Sequence, residues 1–382
     1  MKSLLVLSLF TLIFHILSAQ NINIKLFSKQ EYSAFTFTTA NGKYELVSRN
    51  KIAGKVAKSD SIIVFVKGKK FRAVDAQGQK LGNFKHLQIR GIGAENRFLL
   101  RVHSPGVVAR EYDDDLQIFC TDGLFSVIND VDFEKYIAAV VECEGGPSSH
   151  IEYYKSQAIL CRTYAMRHHE KHIEEGFSLC DDVHCQAYKH RCMYNRDIYA
   201  AAQETAGLVI VDNKLKLISA TFYSNSGGQT ANSEDVWSSA LPYLRSQADP
   251  FSEGMRNYRW QKEIPMSEWN DYLQKKGISV GKEFNYNFAQ PQRKKEYQCE
   301  GTVIPTKTIR QDWNLKSSFF DIKRSGDKII IDGKGYGHGV GLAQEGAMNM
   351  ANKGYGYEQI IKQYYQGVNI MSIRALNFFQ VE

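Results

Sequence analysis

The chain has 382 residues, 43% hydrophobic and 23% charged, with a net charge of +7. Those fractions are ordinary for a globular protein with length for a full core and two domains, and no low-complexity tract or internal repeat interrupts them. The basic balance, with a sequence pI near 8.8, suits an anionic surface such as a cell wall; it would suit nucleic acid too, but no nucleic-acid motif is present and no such partner is expected.

Residues 1–19 are predicted to be a signal peptide. Lys2 supplies the positive start, Leu4 to Leu17 the apolar core, and Ser18-Ala19 before Gln20 a small-residue cleavage site. The apolar run is too short for a spanning helix, and no cysteine follows the cleavage site for a lipid anchor. The mature chain is therefore expected to be exported, to the periplasm or the cell-wall side of the membrane, with no transmembrane helix.

Residues 20–128 are rich in strand signals. Phe35 to Thr38, Tyr44 to Val47, Ser61 to Val66 and Phe98 to Val102 are β-branched or aromatic runs. Turn signals at Asn41-Gly42 and Asp122-Gly123 divide them. This β-rich region carries no chemistry of its own. Wall docking, partner docking and a purely structural role are all open.

Residues 129–382 form the second region. Asp132 is a candidate N-cap, and Phe133, Tyr136, Ile137, Val140 and Val141 recur at helical spacing. Gly145-Gly146-Pro147 stops that helix. Ser149-His150-Ile151-Glu152 reads as a capping box opening a second helix that is expected to run to about Gly176, with a small-residue stripe at Ala158, Cys161 and Ala165. Glu144 sits on the last turn before the corner. The negative end of the helix dipole and partial burial both raise a carboxyl pKa there, as a general acid requires. A solvated helix-end glutamate is the competing account.

The run Tyr136 to Tyr164 resembles the signature of the SpoIID/LytB family, the sporulation stage II protein D and amidase-enhancer proteins. Tyr136, Val140, Val141, Glu144, Glu152, Lys155, Gln157, Ala158, Arg162, Thr163 and Tyr164 match its pattern, while Gly145-Gly146 and Ser149-His150 depart from it. Two further blocks resemble the same family in order. Tyr223-Ser224-Asn225-Ser226-Gly227-Gly228 through Val236-Trp237 is the first. Its polar groups could bind sugar hydroxyls, with Trp237 stacking on a pyranose; a loop held by its own side chains is the alternative. A serine nucleophile lacks the G-x-S-x-G frame. The second block is Gly337 to Ala347, with His338, Gly339, Val340, Gly341, Gln344, Gly346 and Ala347 matching. It is glycine-rich but has neither a G-K-[ST] ending nor a dinucleotide frame. A substrate-facing His338 and a structural one are both consistent with it.

After the second helix, Cys180, His184 and Cys185 crowd together, with His168, His169 and His172 just upstream. Two thiolates and two imidazoles suit tetrahedral zinc. In an exported chain a disulfide is the competing outcome, and seven cysteines leave one over. The resemblance implies a zinc held by two cysteines and two histidines in this segment; Cys180, His184 and Cys185 carry over, and His172 is taken as the fourth ligand. Further on, Leu208–Val211 and Lys216–Tyr223 suggest a hairpin about Asp212-Asn213. Residues 265–325 are polar and uninformative, and Arg293-Lys294-Lys295 reads as a solvated face.

The expected fold is α+β, a strand-rich N-terminal region followed by a SpoIID-like catalytic domain. The resemblance implies a peptidoglycan lytic transglycosylase that cleaves MurNAc–GlcNAc bonds of peptide-denuded glycan strands and leaves 1,6-anhydro-MurNAc ends. Glu144 would be its single acid/base. Gln157, Arg162, Ser224, Ser226, Gly227, Trp237, His338 and Gln344 would bind substrate, and a structural Zn2+ would sit on His172, Cys180, His184 and Cys185. Two alternatives stand beside it: a non-catalytic glycan-binding activator of a cell-wall amidase, and a zinc hydrolase built on Cys180, His184 and Cys185.

Overall fold

The structure, a computed structural model, describes residues 21–121, 123–281 and 283–379. The predicted signal peptide and Asp122 lie outside the described residues. The chain divides into two compact units. The first holds residues 21–24 and 32–133; the second holds 25–31 and everything from Glu134. Residues 25–31 join the second unit because Asp181 accepts from the Phe27 and Ser28 backbone N–H groups at 2.8 and 3.0 Å and from Ser28 Oγ at 2.7 Å.

The first unit is all strand among the described residues: β1 (Asn21–Lys25), β2 (Ala34–Ser48), β3 (Lys51–Val56), β4 (Ser61–Lys67), β5 (Lys70–Asp75), β6 (Lys80–Phe84), β7 (His86–Val102), β8 (Arg110–Asp113), β9 (Asp115–Thr121) and β10 (Leu124–Asp132). Their order in the sheet is β1-β10-β9-β7-β2-β4-β5-β6, with β3 on β2 and β8 on β7. Alternate residues are buried, and Phe37, Tyr44 and Phe98 interlock with ring centroids 5.0 to 6.3 Å apart. All four predicted runs are extended, but Phe35–Thr38 and Tyr44–Val47 belong to one strand, β2. Asn41-Gly42 is not the expected turn, however; β2 runs straight through it. The register against β7 shifts there, and Gly42, at φ 80°, lets the bulge close over Asn96, whose Oδ1 an added Cβ would meet at 2.3 Å.

The second unit mixes helices with short strands. Its first part contains α1 (Phe133–Gly145), α2 (Ile151–Arg167), β11 (Leu179–Cys180), α3 (Arg196–Glu204), β12 (Leu208–Val211), β13 (Phe222–Tyr223) and α4 (Ser233–Val236). Helix α1 begins directly after Asp132, as its periodicity predicts. Helix α2 stops at Arg167, earlier than expected; a separate 3-10 turn over Ile173–Glu175 carries the chain to Gly176 in left-handed conformation. Its N-cap is His150, whose Nδ1 accepts from the Glu152 N–H at 3.2 Å, so the Ser149 capping box does not form. On another face of α2, Thr163 Oγ1 accepts the Ile210 N–H of β12 at 2.9 Å.

Residues 265–325, polar and uninformative in sequence, join the strands that flank them in a packed subdomain over residues 259–334. It contains β14 (Arg259–Pro265), α5 (Met266–Lys275), β15 (Glu296–Cys299), β16 (Thr302–Pro305), α6 (Thr306–Asp312), β17 (Phe320–Ser325) and β18 (Lys328–Lys334). Trp269, Leu273, Ile309, Phe320, Ile329 and Ile331 form its core. The chain ends through β19 (Leu342–Ala343), α7 (Gln344–Asn352), α8 (Tyr357–Tyr364), β20 (Asn369–Ser372) and α9 (Ile373–Phe379). The hairpin about Asp212 is short: a Val211–Leu217 bridge, with the Asp212 N–H on the Lys216 carbonyl at 2.9 Å and the Ile218 N–H on the Ile210 carbonyl at 3.1 Å, while β12 also pairs with β20. No helix among the described residues is long and apolar enough to cross a membrane.

Candidate functional site

The corner after α1 fixes Glu144. Its Oε1 accepts the Ala187 N–H at 3.0 Å, and Oε2 has no protein partner among the described residues. Burial raises its pKa above the ordinary carboxylate value; the Ala187 bond and the Lys189 charge pull more weakly the other way. Gly145 is required beside it, since a Cβ there would lie 2.5 Å from the Tyr153 hydroxyl.

Gln344 opens α7 and donates from Nε2 to the Glu144 main-chain oxygen at 3.3 Å. Strand β13 runs parallel to β19 with Tyr223 opposite Ala343. That register sets Ser224 beside the start of α7, where its carbonyl accepts the Glu345 N–H at 2.9 Å. Glu144, Ser224 and Gln344 are thus gathered from three separated blocks of sequence.

His338 and Trp237 also meet, with ring centroids 5.2 Å apart. His338 Nδ1 accepts the Val340 N–H at 3.1 Å, so Nε2 carries the proton and donates it to the Phe222 carbonyl at 3.1 Å. Burial presses its pKa down to about 4. The ring is neutral and both nitrogens are engaged, which leaves it a wall of the site and not a proton carrier.

Four expected binding residues serve the scaffold instead. Arg162 is completely buried; it makes a bidentate pair with Glu134 at 2.9 and 2.5 Å and donates to the Leu208 and Ala202 carbonyls at 3.1 Å. Its donors are spent joining α1, α3 and β12. Gln157 is equally buried and among the described residues its side chain reaches only Cys161 Sγ, at 3.6 Å. Ser226 is buried, its Oγ accepting the Gly228 N–H at 3.0 Å. Gly227 has φ 68° and passes so close to β18 that a Cβ would lie 2.6 Å from the Lys334 carbonyl carbon. Arg293 is no solvated residue either. It donates to the Ser226 and Gln229 carbonyls at 2.7 Å and lies on the Phe319 ring.

Glu142, one position before Cys143, is a buried structural anion. It accepts the N–H groups of Met193, Tyr194 and Asn195 at 2.9 to 3.0 Å. These donors hold the 190s segment against α1.

His172, Cys180, His184 and Cys185 come together with all four ligand atoms within 4.8 Å of one another. Cys185 Sγ lies 3.6 Å from His172 Nε2, and both sulfurs lie within 3.8 Å of His184 Nδ1. These are the separations that bonds of about 2.0 to 2.3 Å to one tetrahedral ion produce. His172 Nδ1 is turned to Glu175 at 2.5 Å, the outer-shell contact that orients a ligating imidazole. All cysteines among the described residues are free thiols. The donor set therefore fits a metal ion. Cys185 is two residues from Ala187, so such an ion would brace the segment whose N–H holds Glu144.

Sequence reasoning missed Ala187 and Lys189, which act through a backbone N–H and a charge.

Comparison with known proteins places the chain among relatives. The SpoIID family profile, described as Stage II sporulation protein, matches residues 121–211. The chain is 32% identical over 271 residues to Stage II sporulation protein D of Bacillus subtilis (strain 168), covering 65% of this chain and 77% of that protein. It is 31% identical over 264 residues to Stage II sporulation protein D of Bacillus amyloliquefaciens, covering 64% and 75%. Against the Amidase enhancer of Bacillus subtilis (strain 168) it is 25% identical over 291 residues, covering 62% of this chain and 40% of that one.

Proposed function

The chain belongs to the SpoIID family, and from that premise we propose that it is an exported peptidoglycan lytic transglycosylase with Glu144 as its single acid and base. The observation that carries the reading is the environment of Glu144: one oxygen held by Ala187, the other without a partner among the described residues, and a pKa raised by burial. A hydrolase of the ordinary kind needs two carboxyl groups. A lytic transglycosylase needs one. Protonated Glu144 gives its proton to the glycosidic oxygen as the C1–O bond breaks, and GlcNAc leaves as the alcohol. The carboxylate then takes the proton from the MurNAc 6-hydroxyl as its oxygen bonds to C1, closing the 1,6-anhydro ring and restoring the acid. Gln344 fixes the backbone of the catalytic residue, and Ser224 borders it.

Zinc fits the cluster His172, Cys180, His184 and Cys185 as a structural ion, because four protein ligands leave no position for water. It would keep the Cys185–Ala187 segment in register. The similarity to an Amidase enhancer supports a second reading, in which the same cleft binds glycan and activates a cell-wall amidase without cutting. Mass analysis of purified, peptide-free glycan strands after incubation separates the two. Products with 1,6-anhydro ends are expected, and they should be absent with Glu144→Gln. Intact strands with the folded wild-type protein would overturn the enzymatic reading.

A further inference from the structure

Away from the Glu144 corner, a cavity of about 440 Å³ is lined by Trp237, Lys307, Arg310, Gln311, Ser318 and His338. That is the size range of small-molecule sites. Trp237 is 40% exposed, unusual for so large an aromatic. Lys307 and Arg310 lie three residues apart on α6, and so share a face of that helix.

The charge here is not compensated within the protein. Lys307 has no ion pair among the described residues, and Arg310 uses only Nε, on the Leu315 carbonyl at 3.3 Å. The acidic residues on the flanking elements are engaged elsewhere. Glu234 is bound by Arg245, Asp235 by Asn232 at 3.0 Å, and Asp312 by Lys276 at 2.9 Å. His338 is neutral with both nitrogens occupied, so it neither adds to nor offsets the charge. Two cations, an open aromatic face, an amide and a hydroxyl therefore border one space.

We propose that this cavity is a subsite for a sugar ring bearing a free carboxylate, with Trp237 against the ring and Lys307 and Arg310 on the carboxylate. The inference rests on the glycan reading above and deepens it. N-acetylmuramic acid carries such a carboxylate on its lactyl group only when no stem peptide is attached; an attached peptide turns it into an amide. A neutral amide gains nothing from the two cations, and the larger substituent must fit the same space. The cavity would thus read the absence of peptide directly, by charge.

The test uses full-length Glu144→Gln protein, which cannot consume the ligand, and isothermal calorimetry with matched MurNAc–GlcNAc oligosaccharides. One set has free lactyl carboxylates, the other the same positions capped as methylamides; a chitin oligosaccharide and inorganic phosphate complete the series. The carboxylate form is expected to bind at least about tenfold more tightly than the amide, the order expected for a charge-assisted contact. Adding Lys307→Gln or Arg310→Gln should reduce it to the amide's level, and Trp237→Ala should weaken both sugars. Phosphate alone should bind weakly. Equal binding of carboxylate and amide, or discrimination that survives Lys307→Gln, would overturn the inference; Lys307 is exposed, so its replacement does not threaten the fold. Phosphate binding as tight as the sugar would also overturn it, in favour of a general anion site. These readouts need no turnover. Discrimination without lytic activity in the wild type would sink only the enzymatic reading, and lytic activity without discrimination only this one.

Discussion

Gln344 donates its side-chain amide to the main-chain oxygen of Glu144 at 3.3 Å, across 200 positions of sequence. The bond ties the first turn of α7 to the last turn of α1, where carbonyls lack helical partners. Gln344→Ala should lower kcat by roughly two- to tenfold, the worth of one neutral hydrogen bond. The pH profile should stay in place, because Gln344 touches the carbonyl and not the carboxyl. A shifted acid limb in steady-state assays would show that Gln344 acts on the carboxyl after all.

Glu144→Gln should reduce lytic activity by about 100- to 10,000-fold. Its effect on stability has a definite sign. Burial raises the folded pKa above the ordinary 4.5, so the favourable contribution of the protonated form is complete below that value and is lost as pH rises through the folded pKa. The variant lacks that loss and should be as stable as wild type, or slightly more so, at pH 7. Activity should fall as pH rises through the same pKa, since the acid must start protonated. Thermal unfolding and rate, each measured against pH, give both curves.

Much of this was legible in sequence, and what was not has physical causes. The periodicity of α1, the Gly145-Gly146-Pro147 corner and the alternating strands of the first unit are local signals and were correct. The four metal-fitting residues were legible because ligand chemistry is tied to residue type. Arg162 and Gln157 misled because a polar residue in a signature looks functional until its burial is known. In the fold, Glu134, Leu208 and Ala202 consume Arg162. The Asn41-Gly42 pair misled because glycine at positive φ serves a bulge as well as a turn. Residues 265–325 were illegible because their core joins short elements through long-range pairing, with little period in any one segment.

The metal cluster should matter to the corner as well as to the fold. Protein purified without added metal should contain one zinc by elemental analysis, and Cys180→Ser with Cys185→Ser should lose it. Because Cys185 lies two residues from Ala187, chelation at a temperature where the fold persists should loosen the Ala187 bond to Glu144. Lytic activity should then fall before global unfolding, and amide exchange at Ala187 should accelerate. Activity unchanged after complete metal removal would disconnect the cluster from the corner.

Glu142→Gln should destabilise the protein by about 1–3 kcal/mol. The carboxylate is nearly inaccessible and accepts three backbone N–H groups, from Met193, Tyr194 and Asn195. A glutamine must turn its own NH2 toward one of those donors, leaving it unpaired. Chemical denaturation measures the loss. The same change in Glu144 should not produce it, so the two neighbouring glutamates are separated by one assay of stability and one of activity.

His190 gives the last expectation. Its Nδ1 donates to the Arg191 carbonyl at 2.7 Å, with Glu142 Oε2 3.7 Å away, and its Nε2 faces Cys143 Sγ at 3.8 Å. The contact with Cys143 is the largest cause that raises its pKa, to about 9, against the opposing effect of burial. A histidine whose folded pKa exceeds the ordinary 6.5 stabilises the fold fully below pH 6.5, and that contribution is lost as pH rises to about 9. The unfolding midpoint of the wild type should therefore decline across that window. His190→Gln keeps a hydrogen-bonding group but cannot be charged, so its curve should be flatter there and lie below the wild type at pH 6. Cys143→Ser should leave a smaller slope, since it removes the main cause of the shift without removing the imidazole. A wild-type curve as flat as that of His190→Gln between pH 6.5 and 9 would show that His190 is neutral in the folded protein.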